Sequence, residues 1–117
     1  CTMRLKRGDV VLVLLPDSNL LTAKRRPALV VQADDLKTGL SQSIVAMITS
    51  NLARAGHPSR VAVTRSSPEG LEMGLRTDSV VMTHNLTTVL ETELDRIIGH
   101  NPQMQAVDAA LRHTLGV

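Results

Sequence analysis

The chain has 117 residues, enough for one compact domain and too few for two separate cores. It contains 0% aromatic residues, so Leu, Val, Ile, Met and Ala must fill the core. The usual platform for stacking single-stranded bases is therefore missing, and stacking falls to arginine or to the imidazoles of His57 and His84.

Hydrophobic residues make up 43% and charged residues 21%, the balance of an ordinary globular protein. The formal net charge of +2 is unevenly spread, because residues 91–117 hold two arginines against four carboxylates. A mildly basic body permits nucleic-acid contact without demanding it. The single cysteine, Cys1, allows no internal disulfide, which suits a reducing compartment. Met3 reads as a natural start, with Cys1 and Thr2 as a remnant. The longest apolar run, Val10 to Leu15, is far short of a transmembrane span, and no signal-peptide core is visible. These features predict a cytoplasmic chain with one domain over residues 1–117, residues 1–6 being a flexible lead-in.

In chain order, Arg7-Gly8-Asp9 predicts a turn and Val10–Leu15 a first strand, ended by Pro16-Asp17-Ser18-Asn19. Ser18 to Arg26 predicts a polar loop, and Ala28–Gln32 a second, buried strand. Between them stand Lys24, Arg25, Arg26 and Pro27. Proline biases the residue before it towards extended backbone, so Arg26 is expected where the loop becomes the strand. A guanidinium held at a strand mouth suits a phosphate, because its planar fork bonds two oxygens at once. The alternatives are a solvated basic loop, or an ion pair of Arg26 with Asp9 or Asp17.

Ser43–Thr49 predicts a third strand that hands over to Ser50 and Asn51, and Arg60–Thr64 a half-exposed fourth. Arg65–Arg76, rich in Ser, Pro and Gly, predicts a surface loop or hairpin. Ser79–Met82 predicts a short strand delivering Thr83, His84 and Asn85 to its far end. Leu94–Ile98 fits a helical turn or a strand. The last segment predicts a helix, with Asn101 as cap and Pro102 at its first position. Met104, Val107, Leu111 and Leu115 would share one face, Asp108 would pair with Arg112, and Gly116 would stop it. Period and composition thus predict a small strand-dominated barrel or sheet closed by a C-terminal helix.

Three blocks then line up in order: Arg7-Gly8-Asp9-Val10, Arg26-Pro27-Ala28-Leu29-Val30-Val31 and Ile48-Thr49-Ser50. With Asp78-Ser79-Val80-Val81 and the Leu115-Gly116 ending, they resemble the MazF/PemK toxins of bacterial toxin–antitoxin pairs. The resemblance runs over nearly the whole chain from Arg7. It implies an α+β, mainly β fold, an SH3-like small barrel of the MazF/PemK/CcdB type with a C-terminal helix. It also implies a homodimer that cleaves single-stranded RNA at specific sequences without a metal or other cofactor, neutralised by a cognate antitoxin.

In that family the arginine before the proline and the Thr or Ser after the third strand form the catalytic pair, positions that fall on Arg26 and Thr49. Where relatives often carry Gln this chain has Asn85, and where they commonly carry arginine it has Thr87. Arg25, Ser18, Asn19, Ser50, Asn51, His84 and Asn85 are the candidate RNA contacts; amides and hydroxyls at loop ends also serve as turn caps. Thr49 can alternatively bond its own turn.

No general base stands out. His84 has the chemistry for proton transfer or base reading, His57 sits in a Gly-Pro loop, and His100 and His113 read as structural. The four histidines and one cysteine show no metal-ligand spacing. Two other readings keep the fold. One is a CcdB-type toxin that poisons gyrase, which relies on a Trp-Gly-Ile type ending where this chain has Leu115-Gly116-Val117. The other is a non-catalytic nucleic-acid or antitoxin-binding module.

Overall fold

The computed structural model describes residues 5–16, 23–34 and 36–117. Six strands, β1 (Asp9–Pro16), β2 (Ala23–Val30), β3 (Gln42–Thr49), β4 (Arg60–Val63), β5 (Ser79–Leu90) and β6 (Leu94–His100), form one antiparallel sheet. Its order is β4-β5-β3-β2-β1-β6. Helices α1 (Pro68–Met73) and α2 (Met104–Leu115) complete it.

The sheet must curl. On a flat sheet β5 and β6, four strand positions apart, would lie about 19 Å from each other. Yet a single 3-10 turn, Glu91–Glu93, joins Leu90 to Leu94, and four residue steps span about 14 Å at most. The curl separates two cores, because strand side chains alternate between faces. Val11, Val13, Ala28, Val30, Val45, Met47, Val89 and Leu94 form a core of strand residues, with Leu5 packed against it. On the other face Val10, Leu29, Ala46, Ile48 and Val81 pack with Met73 and Leu75 around α1 and Val107 of α2. Aliphatic side chains fill both, and Leu29 and nine valines are at most 2% exposed.

Several expectations need correction. β2 starts at Ala23, so Lys24, Arg25 and Arg26 lie within a strand, where β1 supplies their partners. β5 runs on to Leu90, which places Thr83, His84 and Asn85 in mid-strand. The pairing jumps from Met47↔Met82 to Ala46↔Leu86, leaving these three unopposed on β3. The Ser/Pro/Gly-rich segment holds α1: the Ser67 hydroxyl accepts from the Gly70 N–H, Pro68 opens the helix, and Gly74 ends it at φ 70°. Leu94–His100 is a strand. α2 begins at Met104, because the Asn101 side chain instead accepts from the Gln103 N–H in a turn. Asp108 pairs with Arg7 at 2.6 Å rather than with Arg112. Leu115 is exposed, while Gly116 stops the helix as expected. Among the described residues no helix is long and apolar enough to cross a membrane.

Candidate active-site groove

Pro27 decides where the groove opens. The Val31 N–H donates to the Ile44 carbonyl on β3. Backbone groups of alternate residues point the same way, so those of Leu29 and Pro27 also face β3. Proline has no N–H to give, and the β2–β3 ladder stops at Ala28↔Met47. β2 continues beside β1 alone. The same register carried two residues further sets Arg26 across from Thr49, in the rows that continue Ala28 and Met47.

A groove of about 1020 Å³ occupies this site and is lined by both residues. Its apolar floor includes Leu12, Pro27, Ile48 and Ile98. Arg25 and Ser50 line it with Arg76, Arg96 and Asp95, so four arginines face one carboxylate. That imbalance in a concave surface favours an anion. Arg25 Nε donates to Asp95 Oδ2 at 3.0 Å. Arg26 is exposed, and its side chain has no hydrogen bond or ion pair among the described residues. Its suggested partner Asp9 is instead taken by the Lys6 N–H and by His100 Nδ1. Asp17, with Ser18 and Asn19, lies outside the described residues.

Thr49 Oγ1 accepts from the Asn51 N–H at 3.1 Å, so this side chain does bond its own turn. An accepting hydroxyl keeps its own proton to donate, and the turn fixes where that proton can point. Asn51 does not line the groove; its side chain caps the 3-10 turn Leu52–Arg54 by accepting from the Ala53 N–H.

His84 and Asn85 are exposed on β5 and do not line the groove either. His84 Nδ1 lies 3.5 Å from Ser59 Oγ, which is also 2.8 Å from His57 Nδ1. His57 stands edge-on to His113, and His100 serves Asp9. Thr87 is half-buried opposite Val45. Among the described residues no group of three His, Cys, Asp or Glu is placed to hold a metal.

Sequence reasoning missed Arg76, Arg96 and Asp95. Arg76 follows the unforeseen α1, and Arg96 and Asp95 sit on the strand left undecided. Only strand order brings β6 within reach of β2.

Residues 6–115 match the family described as PemK-like, MazF-like toxin of type II toxin–antitoxin systems. The endoribonuclease MazF2 of Mycobacterium bovis is 37% identical over 103 residues, covering 86% of each chain. The endoribonuclease MazF6 of Mycobacterium tuberculosis matches equally well. A mycobacterial endoribonuclease solved with its cognate antitoxin shares the fold at a TM-score of 0.72 and 23% identity, over 97% of this chain and 96% of that one.

Proposed function

The chain belongs to the PemK-like, MazF-like toxin family of type II toxin–antitoxin systems, and from that premise we propose that it is an endoribonuclease toxin. In this reading it cuts single-stranded RNA in the groove of Arg26 and Thr49, without a metal, and a cognate antitoxin restrains it. The observation that carries the proposal is the placement of a guanidinium on β2, without a side-chain partner among the described residues, and an anchored hydroxyl at the end of β3, where the two strands part around one arginine-rich groove.

The chemistry follows from the substrate. The 2′-hydroxyl of RNA attacks the adjacent phosphorus, the 5′-oxygen leaves, and the products are a 2′,3′-cyclic phosphate and a 5′-hydroxyl. The protein must align the attack and stabilise the extra charge on the phosphorane. Arg26 is permanently cationic and can bond two phosphate oxygens at once. Thr49 donates its hydroxyl proton to a phosphate oxygen while the Asn51 N–H holds its lone pair. Arg25 and Ser50, with Arg76 and Arg96, hold the flanking strand. The protein acts as a homodimer in this proposal, which sedimentation of the purified chain tests directly.

The deciding experiment incubates purified protein with a long single-stranded RNA in EDTA. Discrete fragments with 5′-hydroxyl ends are expected, and none from folded Arg26→Ala or Thr49→Ala variants. Intact RNA with the natural protein would reject the proposal and favour a gyrase-directed or purely binding role.

A further inference from the structure

The pair formed by Arg25 and Asp95 takes no part in the chemistry assigned to Arg26 and Thr49. Arg25 lies one residue before Arg26, so alternation puts it in the other row of β2, with Pro27 and Leu29. β1 separates β2 from β6. Asp95 is the extra residue of an irregularity in β6: Leu12 pairs with Arg96 and Val13 with Leu94, leaving Asp95 unopposed. A bulge of this kind re-aims a side chain. Asp95 thereby meets the Arg25 guanidinium over the width of β1, at 3.0 Å. The contact uses Nε, so the two terminal nitrogens are not spent on it, and the Arg25 side chain stays 60% exposed. Leu12, Pro27 and Ile98 supply apolar groove floor on the same three strands.

We propose that Arg25, clamped by Asp95, is the platform on which one base of the RNA strand stacks, in place of the aromatic side chain this protein lacks. The proposal rests on the RNA reading of the groove. A guanidinium is planar, weakly hydrated and attracted to a π-face, and RNA-binding proteins stack bases on it as they do on aromatics. An ordinary exposed arginine would lose rotamer freedom on stacking, whereas Asp95 has already fixed this one, lowering the entropic cost of binding. Asp95 is thus a positioning residue acting through Arg25. Lysine cannot substitute, having the charge without the plane.

The test measures binding of a fluorescent single-stranded oligonucleotide made uncleavable by 2′-O-methyl groups, with one abasic position moved along it. In the natural protein, removing the base at the platform position should weaken binding about tenfold or more. In Arg25→Lys that penalty should vanish while the salt dependence of binding, set by conserved charge, persists. Asp95→Ala should shrink the penalty, and Asp95→Asn, which retains an acceptor oxygen, should restore it. Melting curves establish that each variant is folded. An abasic profile unchanged in folded Arg25→Lys, or one with no costly position in the natural protein, would overturn the proposal. Cleavage of unmodified RNA is scored separately. Absent cleavage with the Arg25-dependent penalty intact rejects the nuclease reading alone, and cleavage with an Arg25-independent profile rejects the platform alone.

Discussion

Arg26 and Thr49 line one groove beyond Ala28↔Met47, the last paired residues of β2 and β3, and the gap between the two strands begins at Pro27. The proline serves by what it lacks. A donor at that position would carry the ladder on to Ile48 and draw the two strand ends together.

Pro27→Val should therefore restore one backbone hydrogen bond and narrow the groove. Stability is expected to hold or to rise by about 1 kcal/mol, while RNA cleavage falls. Denaturant unfolding and a cleavage assay on the same preparation check both halves. A variant that cleaves normally would show that the splayed strands are incidental.

Arg26→Lys keeps the charge but not the bidentate fork, and Arg26→Ala removes both. Cleavage should fall in that order, with the alanine variant down roughly 10³-fold or more, the scale of a lost transition-state arginine. The side chain is exposed, so melting temperatures should stay within the range of surface changes.

At Thr49 the useful contrast is serine against valine. Serine keeps both the acceptor for the Asn51 N–H and the donor for phosphate, and should retain most activity. Valine keeps the shape and loses both roles, with an expected drop of about 10²–10³-fold, as for one lost oxyanion donor. Single-turnover cleavage rates distinguish the two variants.

Gly74 closes α1 and starts the arm of groove wall that carries Arg76. Its φ is 70°, and a Cβ there would strike the backbone carbonyl of Ile98 on β6. Gly74→Ala should cost about 1–3 kcal/mol and raise the KM for RNA as the wall shifts. Thermal unfolding and steady-state cleavage report these separately.

Arg7 staples three parts of the chain. Its Nε donates to the Val31 carbonyl at the end of β2, and a terminal nitrogen meets Asp108 of α2 at 2.6 Å. Arg7→Ala should lower unfolding free energy by about 1–3 kcal/mol, and Asp108→Asn by less. Urea denaturation measures the difference.

Local chemistry determined much of this protein before any folding was considered. Short β-branched runs made β1 and β3 plain, Gly116 ended α2, and Arg26-Pro27 marked one side of the groove, because each signal is complete within a few neighbouring residues; Thr49 was marked only by the family resemblance. The capping serine and proline of α1 were also present in the sequence, hidden by their loop-like composition. What tertiary structure alone decided is which distant residues share a surface. Strand order placed β6 two positions from β2, a bulge turned Asp95 towards Arg25, and a three-residue excess on β5 left His84 and Asn85 outside the groove. Strand register is a property of two segments at once, so no reading of either one by itself could supply it.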